Sequence, residues 1–188
     1  KIGENLLLNQ GVPPQKLLST AALRQHTSEN KTLKKKSTKQ LLVLLSLSTE
    51  ASIETLTKVY SHNSLIINEL KLKVKVKIHP MMKVEHLLKE INWNKLPDDW
   101  EWTDKNLDSE INDSYCIISM FTASAYDAVL KGNIVISLMS DLNLMDNYLD
   151  LFSHKYPCVH SVSEKGLSSK LKDIFVLKTQ QYQEEFSK

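Results

Sequence analysis

Glycine is scarce in this chain: four residues in 188, none of them spaced as G-x-G-x-x-G or within a Walker pattern. Loops that cradle a pyrophosphate or triphosphate through close backbone approach need those glycines, so their absence argues against the common NAD and ATP folds. Cysteine is scarcer still. Cys116 and Cys158 supply neither a disulfide framework nor metal-ligand spacing, which fits a reducing, cytoplasmic setting. No apolar run approaches the about 18 residues of a membrane span, and no signal-peptide pattern is present. Charge of one sign is lacking too. Lys+Arg 24 against Asp+Glu 22 leaves a net charge of +2, which makes no demand for nucleic acid or an anionic bilayer. His26, His62, His86, His154 and His160 show no zinc spacing, and Asp98, Asp99, Asp104 and Asp108 read as loop and capping residues. No metal is expected. A serine hydrolase is disfavoured because no G-x-S-x-G elbow occurs.

What is present is alternation of apolar runs and amphipathic segments. Leu41 to Leu47 is the most apolar run and the natural central strand; Ser48, Thr49 and Glu50 then open a helical pattern from Ala51 to about Leu70. Leu72, Val74, Val76 and Ile78 alternate with lysines, a period-two strand ending at His79-Pro80. Lysine alternation conflicts with a strand covered on both faces, so one face is thinly covered or the lysine stems reach outwards. Val84 to Ile91 reads as a short helix, and Trp100 to Trp102 as an edge strand. A further helix runs from about Leu107, capped by Thr103 or Asp104. The three tryptophans read as packing under a long loop.

Residues 114–140 form a βαβ unit. Tyr115 to Ile118 is a buried strand, Ser119, Thr122 and Ser124 lie in the turn, Ser124 with Asp127 makes an acidic capping box, and Gly132 closes the helix before a second strand. Val159 to Val162 is a last strand, followed by a helix capped from Ser163. Upstream, residues 3–10 are stopped by Gly11, Pro13 and Pro14, residues 15–24 are ambiguous between helix and strand, and residues 26–40 are a polar, basic linker. The expected fold is α/β, a doubly wound Rossmann-like parallel sheet of about six strands with helices on both faces.

Ligands of such sheets bind at the carboxyl ends of the strands, so three loops should converge: 48–52, His79-Pro80 and 119–124. Free N–H groups and hydroxyls in the last of these suit a phosphate, and His79 at a strand end could donate to a phosphate or a leaving-group oxygen. Each hydroxyl is equally open to a plain capping role.

Lys77-Ile78-His79-Pro80, followed by the Ile118–Ala128 segment ISMFTASAYDA and then Gly132-Asn133-Ile134-Val135-Ile136, resembles the donor-binding domain of GT-B glycosyltransferases. The flavour is that of bacterial surface-carbohydrate enzymes, with kinship to sialyl- and polysialyltransferases and glycerophosphotransferases. The resemblance implies that His79, Ser119, Thr122 and Ser124 contact nucleotide phosphates, with His79 as the catalytic candidate. Ser48, Thr49, Glu50 and Pro80 complete the edge, Thr103 and Asp104 lie towards base or ribose, and Asp127 stands where a Glu is often found. It implies a CMP- or UDP-linked sugar donor as substrate, a surface-glycan acceptor and no tightly bound cofactor. Peripheral association with the inner membrane is compatible with it. Residues 1–39 then read as the end of a preceding domain plus linker, and 40–188 as the donor domain of a longer protein that carries another Rossmann domain upstream. The other class left open is a noncatalytic α/β binding or interaction module.

Overall fold

The apolar run at Leu41 becomes the centre of the molecule because β-branched and leucine side chains on both faces of a strand need cover on both sides. In a computed structural model that describes residues 8–16, 39–141, 149, 153 and 157–177, this run is β1 (Gln40–Leu44), with Leu41, Leu42 and Val43 at 0% exposure. It is followed in order by α1 (Thr49–Tyr60), β2 (Lys73–Lys77), α2 (Val84–Ile91), β3 (Trp100–Trp102), α3 (Leu107–Asp113), β4 (Cys116–Ser119), α4 (Ser124–Leu130), β5 (Ile134–Leu138), β6 (Val159–Val162) and α5 (Glu164–Lys172). All six strands are parallel, in the order β3-β2-β1-β4-β5-β6. This is the doubly wound Rossmann-like sheet.

Two cores flank the sheet. On one face, Leu56 and Val59 of α1, Leu87 of α2 and Leu167 and Leu171 of α5 pack on Leu41, Val43, Val74, Val76 and Ile118. On the other, Ile111 of α3 and Ala125 and Ala128 of α4 pack on Leu42, Leu44, Ile117 and Val135. No β2 residue belongs to that second core among the described residues, which resolves the lysine conflict. Lys75 pairs with Glu101 on β3, and Lys77 donates to the Thr103 carbonyl at 3.2 Å, so the stems lie along a thinly covered face and the ammonium groups find partners at the edge.

Several boundaries differ from the sequence pattern. The helix expected to reach Leu70 ends at Tyr60, and a π-turn follows at Leu65–Glu69; the intervening Ser-His-Asn-Ser competes for backbone, Ser61 Oγ donating to the Lys58 carbonyl at 2.8 Å. Asn106, not Thr103 or Asp104, caps α3, its Oδ1 accepting from the Ser109 N–H at 2.7 Å. Gly132 at φ +70 does close α4, with Gly132 N–H on the Val129 carbonyl and Asn133 N–H on that of Ala128. The tryptophans pack as expected: Trp93 and Trp100 meet edge-to-face with Tyr60, and Trp100 Nε1 donates to Asn63. The chain divides into two units, Lys1–Thr32 and Leu33–Lys188. In the first, Gly11 at φ +84 ends a helical turn ahead of a 3-10 turn at Pro14–Lys16. Most of residues 15–24, nearly all of the basic linker and the segment 142–148 lie outside the described residues.

Candidate functional site

Strands β1 and β4 are neighbours, yet the chain leaves β1 through α1 towards β2 and leaves β4 through α4 towards β5. No connection crosses the gap between their carboxyl ends. That is the switch point at which doubly wound sheets open a crevice. Leu44 pairs with Lys77 of β2 on one side and Ser119 of β4 on the other. The His79 turn and the Ser119 turn therefore flank the Ser46–Thr49 turn, about 10 Å apart by strand spacing.

The side chains in these turns divide by what already engages them. Ser48 caps α1: its Oγ accepts from the Ala51 N–H at 3.2 Å and donates to Glu50 Oε2 at 2.8 Å. Glu50 is exposed, and its own backbone N–H, then the Ser48 hydroxyl, hold its carboxyl below the ordinary value. Thr49 begins the helix, half-buried. His79 is half-buried and Pro80 exposed; the Met81 N–H donates to His79 Nδ1 at 3.3 Å, which fixes the tautomer with the proton on Nε2.

At the β4 exit, Phe121 adopts a left-handed φ of 51°, and its ring packs against the main core. This bend, made without glycine, sets Thr122 at the start of α4, where Thr122 Oγ1 accepts from the Ser124 N–H at 3.4 Å. The N-cap position itself is Ala123, which makes no side-chain capping bond, so the Thr122 hydroxyl serves the helix start from one residue upstream. Ser124 is the first helical residue and its side chain makes no capping bond, so the Ser124–Asp127 box does not form. Ser119 is fully buried, and its hydroxyl has no hydrogen-bond partner among the described residues.

Thr103 is turned away from the edge. It is 5% exposed, its hydroxyl donates to the buried Glu110, and only Asp104 beside it is exposed. Burial pushes both cysteine thiols up, which keeps them unreactive. No metal-binding cluster occurs among the described residues.

The sequence pattern did not single out the concavity on this edge. A cavity of about 250 Å³ lies between the β1 and β2 exits, lined by Leu47, Thr49, Met81, Met82, Lys83 and His86. Its signal was the apolar pair Met81-Met82 in a loop after a strand end. A polar strut was also missed: Lys58 of α1 reaches Glu54 at 2.7 Å, Asp141 at 2.9 Å and the Met139 carbonyl at 2.8 Å, tying α1 to the β5 exit.

The chain carries a Rossmann-like sheet that matches part of larger solved structures. It superposes on the Methanocaldococcus jannaschii UDP-GlcNAc 2-epimerase, solved in complex with UDP-GlcNAc and UDP, with a TM-score of 0.65 and 17% identity over 95% of this chain and 53% of that one. It superposes on the glycosyltransferase SnogD from Streptomyces nogalater with a TM-score of 0.51 and 10% identity, over 79% of this chain and 40% of that one. At these identities the likeness is one of fold, and the chain spans about half the length of the epimerase. No family model and no curated protein matches the sequence. No helix among the described residues is long and apolar enough to cross a membrane.

Proposed function

We propose that the chain is the nucleotide-sugar-binding half of a two-domain glycosyltransferase, with the donor lying across the carboxyl edge at the β1/β4 switch point. The observation that carries this reading is the flanking of the Ser46–Thr49 turn by the His79 and Ser119–Thr122 turns, in a fold shared with an epimerase solved with UDP-GlcNAc and UDP. His79 Nε2–H is the donor left for a phosphate or leaving oxygen, since Nδ1 is engaged. The Thr122 hydroxyl, 9% exposed, keeps its proton to donate while its oxygen accepts from the Ser124 N–H. A second α/β domain upstream would bring the acceptor, a surface glycan, and the general base. Residues 1–39 would be the end of that domain plus linker, and the setting would be cytoplasmic. UDP is favoured over CMP only by the neighbour's ligand.

Calorimetry with UDP, CMP and UDP-GlcNAc tests this. One of them should bind, and His79→Ala and Thr122→Ala should each weaken it about five- to tenfold, the effect of one hydrogen bond. Unchanged affinity in both variants would sink the assignment. A second reading, a noncatalytic α/β module, draws on the internal use of Ser48 and Thr103 hydroxyls. Absence of binding to all three nucleotides would favour it.

A further inference from the structure

We propose that the cavity between the β1 and β2 exits is a subsite for a sugar ring bearing a carboxylate. Its volume of about 250 Å³ lies below the about 300–1,000 Å³ of sites that enclose a whole drug-sized ligand, so it is sized for one ring. Its wall is amphipathic in a particular way. Leu47 is 56% and Met81 78% exposed, a pair of large apolar side chains that water hydrates at a cost and that a ring's C–H face would cover. Met82, half-buried and packed on the core, continues that surface, and methionine adapts to irregular shapes.

Beside the apolar surface stand Lys83 and His86, whose side chains make no ion pair or hydrogen bond among the described residues. Of the neighbouring acids, Glu50 is held by Ser48, and Glu85 does not line the cavity. A neutral base would cover the methionines and leave both side-chain donors unanswered. A lone phosphate would answer them and leave the apolar surface wet. A carboxylated pyranose does both, with its carboxylate between Lys83 and His86 and a ring hydroxyl towards Thr49.

This inference shares the Thr49 wall with the nucleotide reading but does not depend on the β4 turn, because no residue of that turn lines the cavity. The test is NMR of the protein labelled with 13C-methyl methionine, titrated with methyl β-glucuronide and with methyl β-glucoside; the Met81 and Met82 signals are assigned through Met81→Leu and Met82→Leu. Glucuronide should shift both signals at a concentration at least about tenfold below that needed for the glucoside. Lys83→Gln and His86→Gln, both at exposed positions, should each reduce that preference while the other methionine signals stay in place. Equal response to the two glycosides, or response to neither, overturns the proposal; the second result would leave Leu47 and Met81 as a contact for another protein surface. UDP-glucuronate against UDP-glucose distinguishes the sources. A preference that appears with the nucleotide-linked pair assigns the carboxylate to the donor, and one confined to the free glycosides assigns it to the acceptor. Glucuronide binding that persists where UDP does not bind sinks the nucleotide reading alone.

Discussion

Among the described residues, three other than glycine hold a positive φ, and they do so for different reasons. Asn92 at 60° ends α2 with its N–H on the Leu88 and Lys89 carbonyls, a role its short polar side chain tolerates. Phe121 at 51° is retained by its ring in the core. Lys71 at 53° is exposed, and among the described residues no hydrogen bond or ion pair engages its side chain to offset the about 1–2 kcal/mol cost of the left-handed region for an L-residue. Lys71→Gly should therefore stabilise the fold, by about 1 kcal/mol after glycine's extra unfolded-state freedom is subtracted, and raise Tm by about 2–4 °C in a calorimetric scan. An unchanged or lower Tm would mean that Lys71 contributes something its exposure hides.

Among the elements, α1 does more than cover the sheet. Glu54 accepts from Ser140 Oγ and from the Asp141 N–H, both at 2.6 Å, while Lys58, 5% exposed at its side chain, joins Glu54, Asp141 and Met139. Burial alone would raise the Glu54 carboxyl above its ordinary 4.5, but the Lys58 ammonium, the Ser140 hydroxyl and the Asp141 N–H together hold it below. Its contribution to stability is thus present above 4.5 and lost as pH falls through the lowered folded value. Urea denaturation followed as a function of pH should show that acid-side loss in the parent chain and less of it in Glu54→Gln. Lys58→Met should cost about 2–3 kcal/mol in the same experiment at neutral pH, less than the about 3–5 for a fully buried broken pair because Glu54 keeps two donors. A loss under 1 kcal/mol would show that the strut is ornamental to folding. The i, i+4 spacing of Glu54 and Lys58 was legible in the sequence; that both serve the β5 exit, more than 80 positions on, was not, because a local pattern carries no information about which distant loop arrives beside it.

For the whole molecule, β1 and β4 are paired on both edges and covered on both faces, while β3 and β6 each have one neighbour. Hydrogen exchange should be slowest in Leu41–Leu44 and Cys116–Ile118 and fastest, among strands, in Trp100–Trp102; comparable rates throughout would mean that the sheet opens as one unit. Apolar runs and their period determined the six strands, their parallel course and the central place of Leu41, since burying a strand on two faces requires a continuous apolar sequence. The same runs pointed to the strand exits that carry His79 and Thr122. Which hydroxyls remain available at those exits was decided by tertiary structure: Thr103 is drawn inward by Glu110, Ser119 is sealed beneath the sheet edge, and the Thr122 hydroxyl rather than that of Ser124 accepts an N–H at the start of α4. The cavity lined by Met81, Lys83 and His86 is likewise tertiary, because it exists only where the β1 and β2 exits lie side by side, and strand order is a property of the folded sheet.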